Sequence, residues 1–106
     1  MNDFTFTDKG FADYVYWQFQ DKKTIKKINN LLDDIKRNGV MQGIGKPEPL
    51  KHHFGYSRRI DDVNRLVYDI DELQNIKIIS CKGHYGDWYW GLSESVLMFK
   101  FGGNYE

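Results

Sequence analysis

The sheet of this protein is indicated by the segment YSRRIDDVNRLVYDIDELQNIKIISC, residues 56–81. Strand-like runs at about 54–60, 65–70 and 76–81 are separated by polar turns at 61–64 and 71–75. Short runs rich in β-branched and aromatic residues, bounded by polar turn residues, are typical of antiparallel strands. The stretch therefore predicts a three-stranded meander.

Side-chain alternation along the meander assigns its residues to two faces, because successive side chains of a strand point to opposite sides of a sheet. The apolar pattern puts Arg59 and Arg65 together, with Val67, on the face away from the core. Taken alone, this is equally compatible with two solvated arginines on an exposed sheet. The residues expected on the core face are Tyr56, Ile60, Leu66, Tyr68 and Ile70.

Upstream of the meander the apolar spacing becomes that of helices. Asp21 is an N-cap candidate for a helix that ends at the glycine cap Gly39. One face of this helix carries a run of lysines, and its apolar stripe consists of Ile25, Ile28, Leu31, Leu32 and Ile35.

An earlier helix is expected from a cap at Thr7 or Asp8 to about Gln20, after a short strand at 3–6. Its predicted apolar face contains Phe11, Tyr14, Val15 and Gln18, and Trp17 is expected to pack as well. The fold class is thus α+β, with two N-terminal helices packed on one face of an antiparallel β-sheet. The segment 39–51, rich in glycine and proline, is expected to be a loop.

Composition limits the classes of function. The 106 residues fit one domain, and 41% hydrophobic residues argue against a disordered chain. The single cysteine, Cys81, suits a reducing compartment, so a cytoplasmic protein is expected, with Cys81 a small buried hydrophobe. Neither a signal peptide nor a membrane-spanning run is recognisable. Adjacent His52 and His53 would point apart, whereas a metal site needs convergent ligands, so no metal site is expected. No cofactor is expected either.

The net charge is zero, but the charges are unevenly distributed. Residues 46–65 contain five basic residues, two histidines and three acids, which could form a polyanion site or an ordinary solvated face. The basic residues are Lys46, Lys51, Arg58, Arg59 and Arg65.

A Glu, an Arg and a His could together cleave RNA without a metal. A base removes the proton of the 2′-hydroxyl, a cation stabilises the transition state, and an acid protonates the leaving 5′-oxygen. Glu48 lies between Pro47 and Pro49, which restrict its backbone; Arg65 begins the second meander strand and His84 follows the third. A Glu, an Arg and a His can be picked from most sequences, so spacing alone does not identify a nuclease.

Several sequence blocks resemble the YoeB-type toxins of the RelE superfamily, ribosome-dependent mRNA interferases of toxin–antitoxin modules. The resemblance runs from the N-terminus to Tyr85 and implies a RelE-like microbial ribonuclease fold. The matching blocks are DYVYWQ at 13–18, DKK at 21–23, KKIN at 26–29, GKPEPLKH at 45–52, SRRI at 57–60, RLVY at 65–68 and HY at 84–85.

This resemblance also implies roles for individual residues. Glu48 matches the family's general base, Arg65 its transition-state arginine and His84 its general acid. Lys51 and Arg59 match residues that hold phosphates, and Tyr85 matches a tyrosine that helps to position the RNA.

The resemblance further implies partners. The family cuts mRNA in the ribosomal A site and is held inactive by an antitoxin, here expected to be YefM-like; homodimers are common. Two other functions stay open: a gyrase-directed toxin of the ParE type, which shares the fold, and a disabled toxin that still binds its antitoxin.

One departure from the family concerns the C-terminus, where the His-Tyr pair typically ends the chain. Residues 1–85 are therefore assigned to the toxin domain and residues 86–106 to a C-terminal extension. The extension contains Trp88, Trp90 and an apolar run at 96–101. It is expected to cover the sheet or add an edge strand; a self-inhibitory flap and an accidental extension are the alternatives.

Overall fold

A computed structural model describes residues 3–83. Residues 84–106, which include His84, Tyr85 and the C-terminal extension, lie outside the described part. The elements in chain order are β1 (Phe4–Phe6), α1 (Asp8–Gln20), α2 (Lys22–Asn38), β2 (Glu48–Pro49), β3 (Tyr56–Arg59), β4 (Arg65–Ile70) and β5 (Ile76–Ser80).

The strands described between residues 3 and 83 form one sheet in the order β1-β5-β4-β3-β2. The pairs β2–β3, β3–β4 and β4–β5 are antiparallel, which confirms the meander. The first strand departs from the expected antiparallel sheet, because β1 pairs parallel to β5. Parallel pairing requires a long crossover, and the intervening helices and strands provide one.

Both helices lie on one face of the sheet, as predicted. The stripe of α2 is buried against the core-face residues of β4 and β5, including Leu66, Tyr68 and Ile78. The predicted caps are also confirmed: Thr7 Oγ1 accepts from the backbone N–H of Gly10 at 2.9 Å, and Asp21 caps α2.

The predicted apolar face of α1 is wrong in part. Gly10 and Asp13 are buried and Tyr14 and Trp17 pack against the core, whereas Phe11 is 58% exposed. Gln18 is exposed as well. Aromatic residues occur all round α1, so their spacing does not single out one face.

Arg58 does not belong to the basic surface patch. It pairs with Leu66 across β3–β4, which puts it on the core face, and it is fully buried. Its guanidinium donates to the Asp34 carboxylate and to the hydroxyl of Tyr68, and also to the carbonyls of Gly39, Gln42 and Ile44. Arg58 therefore fastens the loop after α2 to the sheet.

Two pKa values reflect this arrangement. The Arg58 guanidinium, with further hydrogen bonds from Ile44 and Asn38, holds the pKa of Asp34 below its ordinary value against the effect of desolvation. Burial raises the pKa of Tyr68, whose hydroxyl donates to the carbonyl of Val40 at 2.6 Å. Neither helix within residues 3–83 has the length and apolar character that crossing a membrane requires.

Candidate active site

Glu48 lies in the two-residue strand β2 rather than in a loop. The segment before it is attached to β3, where the N–H of Arg59 donates to the carbonyl of Gly45 at 2.7 Å. The segment after it is attached by the N–H of Leu50, which donates to the carbonyl of Gly55 at 3.0 Å. Glu48 is thus held from both sides while it stays exposed.

The strand register brings Glu48 onto the same face as two arginines. Glu48 lies opposite Ser57, and Arg59, two residues further along β3, lies directly opposite Arg65. Residues that are paired across strands, or two apart within one strand, share a face. Diagonal neighbours such as Glu48 and Arg59 are typically about 7–8 Å apart, with their Cβ atoms somewhat closer.

This site face is the one turned away from the helices, and part of it is apolar. Leu50, Val67 and Ile79 form a second buried cluster, separate from the main core. Since Glu48 and Leu50 are two residues apart, both lie on the side of the sheet that carries this cluster. The prediction that Arg59 and Arg65 share the face away from the core is confirmed.

The guanidinium of Arg65 is held by the β3–β4 turn. Its Nη1 donates to the carbonyl of Asp61 at 2.7 Å and to that of Asn64 at 3.1 Å. The guanidinium of Arg59 is held much more loosely. Its Nη1 lies 3.8 Å from Oδ1 of Asp62, which is fully exposed. Like charges directly opposite one another on a sheet repel, so this pair of cations is suited to an anion between them.

The residues just before His84 are fixed against α1 and the β3–β4 turn. Cys81 N–H donates to the Asp13 carboxylate at 3.0 Å, and its carbonyl accepts from the Trp17 indole at 2.8 Å. Gly83 N–H donates to Asn64 Oδ1 at 2.8 Å, and its carbonyl accepts from the N–H of Arg65 at 3.0 Å. The described chain therefore ends beside Arg65.

The predicted site residues fall into two groups. Glu48, Arg59 and Arg65 are brought to one face, and Lys51 is exposed in the loop between β2 and β3. His84 and Tyr85 lie outside the described residues, so their predicted roles stay predictions.

Cys81 is buried, as expected, and this burial determines the protonation of its thiol. Burial, together with the nearby Asp13 carboxylate, raises the pKa of its thiol to about 12. A thiol in this state is a poor nucleophile at neutral pH. Among residues 3–83 no cluster of three or more His, Cys, Asp or Glu side chains could hold a metal ion.

Two residues that the sequence pattern indicated only as part of a polar turn, Asp61 and Asn64, also contribute to the site. Burial raises the pKa of Asp61, but hydrogen bonds from Asn64 and from the N–H of Val63 outweigh it, so the pKa lies below its ordinary value. The signal in the sequence was the position of Asn64 directly before Arg65.

Comparison with known proteins adds independent evidence. The family model of YoeB-like toxins of bacterial type II toxin-antitoxin systems matches residues 6–85. Toxin YoeB of Streptomyces coelicolor is 49% identical over 83 residues, covering 76% of this chain and 96% of the relative.

Solved structures agree. The YoeB dimer from Staphylococcus aureus has a TM-score of 0.72 at 54% identity, covering 78% of this chain and 97% of that one. The heterotetrameric YoeB-YefM toxin-antitoxin complex from the same organism has a TM-score of 0.73 at 53% identity, covering 80% and 99%. Family model, sequence identity and fold coincide, and the chain belongs to the YoeB family of toxins of bacterial type II toxin–antitoxin systems.

Proposed function

We propose that this toxin is a metal-independent endoribonuclease that cleaves mRNA in the ribosomal A site and so inhibits translation. The observation that carries the proposal is the face shared by Glu48, Arg59 and Arg65. A carboxylate beside two cations is the arrangement that attack of a 2′-hydroxyl on the neighbouring phosphate requires.

In the proposed reaction Glu48 removes the proton of the 2′-hydroxyl, and the 2′-oxygen attacks phosphorus. Arg65 stabilises the negative charge that develops on the phosphoryl oxygens. Its guanidinium is already fixed by two carbonyls, so little reorganisation is needed when that charge appears. Glu48 is exposed and therefore accessible to RNA.

His84 then protonates the departing 5′-oxygen, and the products are a 2′,3′-cyclic phosphate and a free 5′-hydroxyl. The support for this role is that Gly83, to which His84 is bonded, accepts a hydrogen bond from Arg65 N–H. Lys51 and Arg59 hold phosphates flanking the cut, and Tyr85 positions the RNA. Arg59 suits this role because its guanidinium is half exposed and only weakly paired.

The partners we propose are the ribosome with its mRNA, a YefM-type antitoxin that neutralises the toxin, and a second copy of the chain. Structures of the Staphylococcus aureus relative are described as a YoeB dimer and as YoeB-YefM complexes. A ribosome-bound substrate also implies a cytoplasmic site of action.

The test is induction of the toxin in bacterial cells with transcriptome-wide mapping of mRNA 5′ ends. The wild type should arrest translation within minutes and produce new 5′ ends inside codons at the A site. Glu48→Gln and His84→Gln should lose both effects. Glu72→Gln is the matched control, because Glu72 is an exposed carboxylate in the turn at the far end of β4.

Three results would overturn the proposal. DNA-damage signalling that precedes translation arrest would indicate a gyrase-directed toxin. Tight binding to an antitoxin without mRNA cleavage by the wild type would indicate a disabled toxin. Full toxicity of Glu48→Gln would remove the general base from the mechanism.

A further inference from the structure

The side chain of Asn64 connects two parts of the site, the β3–β4 turn at Asp61 and the backbone at Gly83. Its Oδ1 accepts from the N–H of Gly83 at 2.8 Å, and its Nδ2 donates to both carboxylate oxygens of Asp61, at 3.0 and 3.2 Å. This orientation of the amide satisfies both neighbours, because Gly83 offers a donor and Asp61 only acceptors.

The Asp61 carboxylate in turn shapes the backbone that holds Arg65. Asp61 Oδ1 accepts from the N–H of Val63 at 2.9 Å and of Asn64 at 2.7 Å. These bonds fix the turn whose carbonyls, those of Asp61 and Asn64, receive the guanidinium of Arg65. A displacement of the turn therefore displaces the guanidinium.

The same side chain fixes the end of the described chain. Gly83 is bonded in two directions, to Asn64 Oδ1 through its N–H and to the N–H of Arg65 through its carbonyl. Breaking the first bond leaves, among the bonds within residues 3–83, the second to hold residue 83. Asn64 thus links the position of the Arg65 guanidinium to the position of the backbone to which His84 is attached.

We propose that the Asp61–Asn64 pair is a positioning device of the nuclease site, which keeps the Arg65 guanidinium and residue 83 in register. The inference rests on the proposed function and deepens it, since the role given to Asn64 is exerted through its neighbours Asp61 and Gly83 and not on the RNA itself. Misplacement of reacting groups by about 1 Å can reduce a rate about 100-fold.

A second turn of the chain supplies a matched control. The β4–β5 turn has the same design, with Asp71 Oδ1 accepting from the N–H of Leu73 and of Asn75, each at 2.9 Å. Asn75 Oδ1 accepts from the N–H of a distant residue, Asp3, at 3.0 Å. Asn75→Ala therefore removes the same kind of bond at the end of β4 remote from Arg65.

The experiment measures single-turnover cleavage of mRNA on programmed ribosomes by the full-length chain at a temperature well below its unfolding midpoint. Asn64→Ala should lower the maximal rate about 10- to 100-fold while the half-saturating toxin concentration changes about twofold at most. Asn75→Ala should leave both quantities unchanged, although both variants lose some thermal stability.

A reciprocal exchange separates positioning from simple loss of a side chain. Asn64→Asp alone places a second carboxylate next to that of Asp61, and the variant should cleave mRNA slowly. The double variant Asp61→Asn with Asn64→Asp restores a donor facing an acceptor, and leaves an acceptor for Gly83 N–H. Its rate should return to within about threefold of wild type, which is the non-additivity expected of residues in direct contact.

Hydrogen exchange at the Gly83 amide gives a readout that does not depend on cleavage. Exchange should accelerate in Asn64→Ala and be restored in the double exchange, and Asn75→Ala should match wild type. An unchanged maximal rate in Asn64→Ala, or a double variant no faster than Asn64→Asp, would overturn the inference. If the wild type itself does not cleave, the proposed function fails while the exchange data still report whether Asn64 holds Gly83.

Discussion

Among single residues, neighbouring charged side chains of one sequence block occupy opposite faces of the sheet. Arg58 and Arg59 are neighbours, yet the first is fully buried against Asp34 and Tyr68 and the second is exposed on the site face. Alternation predicted the position of Arg59 correctly. The same rule puts Arg58 between Tyr56 and Ile60 on the core face, but its charge led to its assignment to the surface patch.

Replacement of Arg58 tests its structural role. Arg58→Met keeps an unbranched apolar stem but removes the guanidinium, so the Asp34 carboxylate loses its cationic partner and three loop carbonyls lose this donor. Breaking a buried ion pair from one side costs about 3–5 kcal/mol of unfolding free energy. Urea denaturation measures this, with exposed Arg37→Met as the control, and a loss below about 1 kcal/mol would contradict the role.

The lowered pKa of Asp34 predicts acid sensitivity. Because its pKa is lower in the folded protein than the unfolded value of about 3.9, its stabilising contribution is complete above that value and is lost as pH falls through the folded pKa. Asp21, Asp61 and Asp71 have shifts of the same sign and add to the effect. Unfolding free energy should therefore fall as pH decreases from about 5 toward 2.

The variant Asp34→Asn measures how much Asp34 contributes to the pH dependence of the unfolding free energy. It should be less stable than wild type at pH 7, and its stability should fall less steeply with acid. Urea denaturation at a series of pH values measures both slopes. A variant slope as steep as that of the wild type would mean that the other aspartates account for the whole effect.

At the scale of elements, local signals predicted some features and tertiary contacts decided others. The bounds of both helices could be predicted because the caps Thr7, Asp21 and Gly39 act within a few residues. Strand β2 could not, since glycine and proline carry no strand propensity and the two residues are held by bonds to β3. The face by which α1 packs was predicted only in part, because contacts with the core define it and the composition of the helix does not.

Gly10 makes this distinction testable. A Cβ added there would lie 2.2 Å from the carbonyl oxygen of Ile78, because α1 approaches β5 closely at this point. Helix propensity alone predicts that Gly10→Ala stabilises by about 1 kcal/mol. The structure predicts a loss of about 1–3 kcal/mol, since helix or strand must move.

Thermal or urea denaturation decides between the two. Asn30→Ala, at an exposed position of α2, is the control and should be neutral or slightly stabilising. A Gly10→Ala variant more stable than wild type would mean that α1 does not pack as closely on β5 as described.

At the scale of the whole molecule, the site depends on segments far apart in the sequence. Strand β2 supplies Glu48, the β3–β4 hairpin supplies the two arginines, and residues 81–83 reach Arg65 from the end of β5. The sequence suggested the set of residues through family resemblance, and alternation alone united only Arg59 and Arg65. That Glu48 lies on the same face as these arginines could not be predicted, because it depends on the β2–β3 register, which no local sequence pattern encodes.

The parallel pairing of β1 with β5 has a related consequence. It makes β1 the edge strand, next to β5, of the sheet described for residues 3–83. Helix α1 follows β1, and its Asp13 and Trp17 side chains hydrogen-bond to the backbone of Cys81. The helical layer on one face therefore fixes the chain that leads to the site on the other. Both layers of the fold therefore contribute to the position of residues on the site face.

In the proposed mechanism Glu48 is the general base in RNA cleavage and acts beside Arg59 and Arg65. The most direct test is single-turnover cleavage, on programmed ribosomes, of an mRNA whose A-site codon carries either a ribose or a 2′-O-methyl ribose at the scissile position. We predict that the wild type leaves a 2′,3′-cyclic phosphate on the ribose substrate and does not cut the methylated one. Glu48→Gln should cut the ribose substrate about 100-fold or more slowly, at the upper part of the usual range for general base catalysis. Cleavage of the methylated substrate, or a Glu48→Gln rate equal to that of wild type, would contradict the account.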